Sequence, residues 1–198
     1  MTNDESLSSQ EEHLLAEFRE LWDKVQQIWD THSDAPAFRA YVSADYEPIF
    51  NSLRKLRGKA CTFLEWGSGL GVVAIMASRM GFDAYGIEVE PELVEYAEEL
   101  AEMYGAETQF AIGSFIPDEF EWEPVSGDEF QRSFVDIGSA YDELDMELRD
   151  FDIVYAYPWP DEHSLFHSIM RQFGCQNALL LSYDVRDGME VTRFNSKR

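Results

Sequence analysis

Cys61-Thr62-Phe63-Leu64-Glu65-Trp66-Gly67-Ser68-Gly69-Leu70-Gly71 is the stretch that decides the fold of this 198-residue chain. It begins with a short apolar run that ends in an acid, and it continues as a glycine-rich turn. Residues 72–80 are good helix formers and small residues, and Gly81 follows where helices commonly stop. A second short apolar run then ends in Glu88. The pattern predicts strand, glycine turn, helix and strand, with a turn that a ligand can approach closely and unpaired N–H groups at the helix start.

The spacing of the glycines disfavours a dinucleotide site. Counted from Gly67, the fingerprint G-x-G-x-x-G/A would end at Val72, whose branched side chain would crowd a pyrophosphate turn. The chain instead reads acid-x-G-x-G-x-G, with Glu65 as the acid. A carboxylate at this position suits a cationic ammonium group better than a diphosphate. An NAD-binding oxidoreductase stays open as a less favoured alternative, because Glu88 would suit an NAD ribose equally well.

This arrangement resembles the first motif of the class I S-adenosylmethionine (SAM) methyltransferases, and the resemblance extends over roughly residues 41–194. It implies SAM as the cofactor, with Glu88 hydrogen-bonded to both ribose hydroxyls. Ser114 stands where the family usually has an acid that meets the adenine amino group, which weakens this part of the match. The cofactor-binding residues implied in this way are Tyr41, Ser43, Glu65, Gly67, Ser68, Gly69, Gly71, Glu88, Val89, Gly113, Ser114, Phe115 and Tyr155.

The methyl acceptor is expected at the end of the fourth predicted strand, 151–157. Some amine methyltransferases have Asn or Asp there, followed by two prolines and an aromatic residue. The stretch Tyr157-Pro158-Trp159-Pro160 has the prolines and aromatics without the Asn or Asp. Its rings could flank a cationic centre, or its prolines could merely end the strand. His163 is the best acid–base candidate because histidine titrates near neutrality. We therefore predict Tyr157 and His163 as catalytic residues, and no metal site, because His163 and His167 lack a third ligand.

Composition limits the partners. The formal net charge of −24 repels phosphate backbones, which predicts no nucleic-acid substrate, and it would attract a basic protein or a small amine. Plain solubility is the alternative reading of the same charge. Neither a secretory signal nor an apolar run of membrane-spanning length is visible, which predicts a cytoplasmic protein without membrane contact. Cys61 and Cys175 are predicted to be reduced core thiols.

Strands that alternate with helices predict an α/β fold: a Rossmann-like class I methyltransferase sandwich with a mostly parallel sheet. Only one short strand fits after the fifth, so the sheet is expected to be shortened at its C-terminal end. Residues 1–36 are predicted as an amphipathic helix with a linker, and residues 37–198 as the SAM-binding domain. Within the latter, 139–148 reads as an acidic helix.

The predicted function is that of a SAM-dependent methyltransferase with an unidentified acceptor, an amine or protein nitrogen being favoured over an oxygen. A SAM-binding regulatory or structural protein without transferase activity is the alternative. Ser114, the incomplete fourth motif and the shortened sheet favour that alternative.

Overall fold

A six-stranded sheet organises the chain in a computed structural model that describes residues 6–121, 137–159, 162–184 and 188–194. The strands, in the order β3-β2-β1-β4-β5-β6, are parallel except for β6, which runs antiparallel to β5. This arrangement confirms the predicted Rossmann-like sandwich with a single strand after the fifth. The strands are β1 Thr62–Trp66, β2 Asp83–Glu88, β3 Thr108–Ile112, β4 Ile153–Ala156, β5 Leu179–Asp184 and β6 Gly188–Arg193.

Helices cover both faces of the sheet. They are α1 Ser9–His32, α2 Tyr46–Leu56, α3 Val72–Arg79, α4 Pro91–Met103, α5 Tyr141–Leu144 and α6 His163–Phe173, with two 3-10 turns, Pro36–Phe38 and Leu148–Asp150. Successive residues of a strand point to opposite faces, so Phe63 packs with the core under α1 to α4 and Leu64 with the core under α6. Both faces of the sheet are therefore buried, as a parallel sheet requires.

The N-terminal helix packs onto the sheet through α3. Its start is fixed by a capping box in which the Ser8 hydroxyl accepts the backbone N–H of Glu11 and the Glu11 carboxylate accepts the Ser8 N–H. Phe18 and Leu21 are fully buried in the core beside α3. At the surface, Arg79 donates to Glu17 at 2.8 Å. The helix Ser9–His32 thus turns its apolar side to the core and lies over α3.

Two local predictions are wrong. The acidic stretch 139–148 forms only the single turn Tyr141–Leu144, because Asp145 adopts a left-handed conformation at φ 51° and ends it. Cys61 is exposed and Cys175 is half-buried, so neither is a core residue, although both are free thiols. Pro160, in the fourth motif, lies outside the described residues. No described helix is long and apolar enough to cross a membrane.

Candidate active site

A cavity of about 750 Å³ opens at the carboxyl ends of β1, β2 and β4. Carboxyl ends of neighbouring parallel strands meet at one edge of a sheet, so the loops that follow them converge there. The segment 37–46 forms the cavity's roof, and 113–115 forms part of its wall. Every residue that the sequence predicted for cofactor binding or catalysis lines this cavity except Ser43 and Gly71.

The glycine turn after β1 depends on left-handed backbone. Gly67 and Gly69 have φ angles of 65° and 53°, which side chains strongly disfavour. A Cβ at Gly69 would also come within 2.8 Å of the Tyr41 ring, so the roof rests directly on the turn. Gly71, at φ 70°, has a different role, since a Cβ there would meet the Phe110 ring at 2.5 Å. Gly71 therefore lets α3 pack closely rather than lining the cavity.

Glu88 is held by three backbone N–H groups. One carboxylate oxygen accepts the Gly69 N–H at 2.8 Å, and the other accepts the N–H groups of Val89 and Glu90 at 2.7 and 3.1 Å. Burial raises the pKa of Glu88, whereas these hydrogen bonds lower it. A carboxylate has about four lone-pair positions, so one stays available to a ligand hydroxyl. The residue is 8% exposed and belongs to the cavity wall.

Glu65 is more deeply buried and has fewer partners. One of its oxygens accepts the Ala74 N–H, in the first turn of α3, at 2.7 Å. Burial, followed by the charge of Glu88, raises the pKa of Glu65 from 4.5 to about 8. A carboxyl group in this condition is stabilised in its charged form by any cation that enters the cavity.

The roof is tied together by hydroxyl groups and rings. The hydroxyls of Tyr41 and Tyr46 are 3.3 Å apart, and the Ser43 hydroxyl donates to that of Tyr46 at 3.2 Å. Ser43 therefore stabilises the roof from outside the cavity wall. The Phe38 ring lies edge-on to Tyr41 at 6.3 Å and stacks on His32 at 5.8 Å, which connects the roof to the end of α1. Tyr46 also lines the cavity, although the sequence did not single it out.

Two buried hydroxyl groups in the wall lack a hydrogen-bond partner among the described residues. They are the Ser68 Oγ in the glycine turn and the Tyr155 hydroxyl on β4. Buried polar groups in folded proteins are nearly always paired, so each unpaired group needs an explanation. Both belong to the wall of the cavity, so a polar ligand bound there would supply the missing partners.

Aromatic rings form the wall beside β3. Trp66 stacks on Phe115 with centroids 4.9 Å apart, and Phe166 lies against both rings. The Trp66 indole donates to the Tyr141 hydroxyl at 3.0 Å, which in turn donates to the Phe115 carbonyl. Ser114, also buried in this wall, accepts the Ile116 N–H and keeps its O–H as a donor. The combination suits a flat aromatic ligand with ring nitrogens that accept hydrogen bonds.

At the outer end of the cavity, three elements bring polar and aromatic side chains together. Tyr157 and Trp159 follow β4, His163 begins α6, and Asp184 ends β5. We call these four residues the rim. His163 Nε2 lies 3.9 Å from a carboxylate oxygen of Asp184. The sequence predicted Tyr157 and His163 but missed Asp184, although a carboxylate at the end of a fifth parallel strand was a visible signal.

Solved structures share this architecture. An RNA methyltransferase from Salinibacter ruber, solved with S-adenosyl-L-homocysteine, superposes with a TM-score of 0.52 and 17% identity over 77% of this chain and 92% of that one. The chain has the class I methyltransferase fold. A hypothetical protein from Thermus thermophilus gives a TM-score of 0.50 and 17% identity over 79% of this chain and 88% of that one. The resemblance inferred from the glycine turn is thereby confirmed at the level of the fold.

Curated relatives of this methyltransferase-fold chain align over short segments. A lysine N-methyltransferase of Xenopus laevis, named for its action on an ATP synthase subunit, is 39% identical over 67 residues, covering 32% of this chain and 30% of that protein. The ribosomal protein L11 methyltransferase of Dechloromonas aromatica is 41% identical over 54 residues, covering 27% of this chain and 18% of that protein. The matched segment thus spans less than a third of either relative. No protein-family model matches the chain.

Proposed function

We propose that this chain is a SAM-dependent methyltransferase. The observation that carries the proposal is a single cavity whose wall contains two buried carboxyl groups, Glu65 and Glu88, beside a glycine turn. SAM presents an ammonium group and a ribose diol, and these are the groups that two such carboxyls would bind. Glu65 would pair with the ammonium, which stabilises its charged form, and Glu88 would accept from the diol. When bound, SAM supplies a methyl group on a positively charged sulfur.

The remaining wall also fits this ligand. Phe115, stacked on Trp66, offers an apolar face for adenine, and the Ser114 O–H is a donor for a ring nitrogen. The unpaired hydroxyls of Ser68 and Tyr155 would each gain a partner. Tyr41 closes over the glycine turn and excludes water from the bound cofactor. Methyl transfer mainly requires that the nucleophile be held in line with the methyl group, so the chain needs no further catalytic motif.

A nitrogen acceptor, an amine or a protein side chain, is favoured over an oxygen. The net charge of −24 attracts cations and repels phosphate backbones, which disfavours a nucleic-acid acceptor. Tyr157 and Trp159 place aromatic rings at the open end of the cavity, where ring faces attract a cationic nitrogen. The Xenopus relative is by its name a lysine N-methyltransferase, which agrees with this preference.

Calorimetric titration of the purified protein with SAM, S-adenosylhomocysteine and NADH tests the cofactor. We expect micromolar binding of the first two and none of NADH. Glu88→Gln removes a charged acceptor and should weaken SAM binding by about 10-fold to 100-fold. Glu99→Gln, an exposed change on α4, is the matched control and should leave the affinity within about twofold.

The outcomes separate the alternatives. NADH binding that SAM does not displace would overturn the proposal in favour of an oxidoreductase. SAM binding without transfer of labelled methyl groups to any fraction of a cell lysate would favour the non-catalytic binding protein.

A further inference from the structure

The rim has the composition of a cation-binding site. Tyr157, Trp159, His163 and Asp184 come from the ends of β4 and β5 and the start of α6, and all line the cavity. The Tyr183 ring packs edge-on against Tyr157 with centroids 5.2 Å apart, which fixes the orientation of the Tyr157 ring. One carboxylate and two aromatic rings at a pocket opening are the groups that recognise an alkylammonium ion.

The acid–base pair in the rim is open to the cavity and to solvent. His163 and Asp184 have side chains that are 36% and 33% exposed, and their 3.9 Å separation exceeds hydrogen-bond length. They therefore attract each other when His163 is protonated, without being locked together. Burial, Tyr183 and Asp184 all raise the pKa of Tyr157, so its phenol stays neutral near pH 7. His163 is then the group in the rim whose ring nitrogen can accept a proton.

We propose that the rim binds the methyl acceptor as an alkylammonium group, with Asp184 as its counter-ion, and that His163 accepts the proton the nitrogen must lose. This inference rests on the proposed function, because it assigns the acceptor side of the same cavity. The ammonium group belongs either to a lysine side chain of a protein or to a free primary amine. Asp184 is a specificity-determining residue in this scheme, and the sequence motifs did not indicate it.

The chemistry requires the proton to leave first. An ammonium nitrogen has no lone pair, so one N–H bond must break, with its electrons kept by nitrogen and the proton passed to His163. The lone pair then forms the bond to the methyl carbon while the carbon–sulfur bond breaks and its electrons stay on sulfur. His163 later releases the proton to solvent. The titratable groups around His163 include Asp184 on β5, Tyr157 after β4, Glu162 just before it and His167 one turn along α6.

Binding of n-pentylammonium, with 1-pentanol as its neutral isostere, tests the charge preference. Tryptophan fluorescence would follow both titrations with and without saturating S-adenosylhomocysteine. We expect the ammonium to bind at least about tenfold more tightly than the alcohol. Equal affinities would overturn the inference, and this comparison requires no variant. Ammonium binding by a protein that does not bind S-adenosylhomocysteine would instead overturn only the proposed function.

Asp184→Asn assigns the preference to one residue. We expect it to weaken n-pentylammonium binding about tenfold while changing S-adenosylhomocysteine binding less than about twofold. Asp23→Asn, an exposed change on α1, is the matched control and should change neither. An unchanged ammonium affinity in Asp184→Asn would contradict the role of this carboxylate.

Transfer of labelled methyl groups identifies the acceptor chemistry and its source. A lysate whose primary amines have been acetylated beforehand should take up no labelled methyl groups. With an untreated lysate, a size filter separates labelled proteins from labelled free amines. Label that survives acetylation, or that ribonuclease releases, would overturn the inference. His163→Gln should lower the rate and move its acid-side decline to higher pH, because the amine must then lose its proton without a base in the rim, while ammonium binding persists. An unaltered pH profile would contradict the role of His163.

Discussion

The two buried carboxyl groups at the β1–β2 half of the cavity accept hydrogen bonds from backbone N–H groups, whereas His163 and Asp184 of the rim face each other. Glu88 accepts one N–H group from the glycine turn and two from the residues that directly follow it. Glu65 accepts one N–H group from the first turn of α3. The rim pair, His163 and Asp184, comes from different elements and is partly exposed. The first half is therefore pre-organised by the backbone, whereas the rim is built from side chains of separate elements.

The difference suggests how such a fold separates its tasks. A ligand that is common to a whole class of proteins can be bound by backbone geometry, which few substitutions alter. An acceptor that differs from one protein to the next is better recognised by side chains, since they change without disturbing the sheet. Variants in the two halves should accordingly affect different ligands and by different amounts.

Gly69→Val should have the largest effect. Its Cβ would meet the Tyr41 ring at 2.8 Å, and φ 53° is unfavourable for a β-branched residue. We expect calorimetry to show SAM affinity reduced by about 100-fold or more while circular dichroism shows a folded chain. Gly58→Val is the matched control, because Gly58 has φ 71° but nothing within 4 Å of a Cβ. Unchanged SAM affinity in a folded Gly69→Val protein would refute the assignment of the glycine turn to SAM binding.

The pH dependence of stability should reveal Glu65. Its folded pKa of about 8, against 4.5 when solvated, means that the folded chain keeps a proton which the unfolded chain has already released. Stability from this group is therefore full below about pH 4.5 and is lost as pH rises towards 8. Denaturant titrations measure the free energy of unfolding of the wild type and of Glu65→Gln. The wild-type value minus the variant value should fall by up to about 1.4 kcal/mol per pH unit in this window.

The same group should make SAM binding pH-dependent. The ligand's ammonium lowers the pKa of Glu65, so binding between about pH 5 and 8 should release up to about one proton. Calorimetry in two buffers with different ionisation enthalpies measures this release. If the wild type became more stable relative to Glu65→Gln as pH rises, or if binding released no proton, Glu65 would not be the ammonium partner.

Tyr155→Phe should separate binding from stability. The Tyr155 hydroxyl is buried without a partner among the described residues, so its removal should leave the free energy of unfolding unchanged or slightly higher. SAM affinity should fall by about threefold to tenfold if the ligand supplies that partner. Thr108→Val removes another unpaired buried hydroxyl, outside the cavity wall, and should leave affinity unchanged. Equal affinities in the two variants would mean that Tyr155 does not contact the ligand.

Tyr183→Leu should have the smallest effect on the cofactor. This ring supports Tyr157 from outside the cavity wall, so S-adenosylhomocysteine affinity should stay within about twofold. Binding of n-pentylammonium should weaken by up to about fivefold, because an aromatic pair contributes roughly 1 kcal/mol. A parallel loss of both affinities would mean that the two halves are not independent.

Local sequence patterns made the fold and the β1–β2 half of the cavity predictable. Glu65, Gly69 and Glu88 lie within one strand–turn–helix–strand unit, where spacing along the chain translates directly into geometry. The helix expected at 139–148 failed because its residues suit a helix individually, whereas Asp145 turns left-handed and ends it after one turn. Ser43, predicted for the cofactor site, donates to Tyr46 and lies outside the cavity wall, since a loop's path follows from packing that its sequence does not encode locally.

The sequence by itself determined the succession of the six strands, the glycine turn and the two carboxyl groups beside that turn, because each depends on residues close together in the chain. Only the tertiary structure decided that Tyr41 rests on Gly69, that Ser68 and Tyr155 lack partners among the described residues, and that Asp184 faces His163. The physical reason is that these relations join residues from separate elements. They exist only once the crossovers have brought the ends of β1, β4 and β5 to the same edge of the sheet.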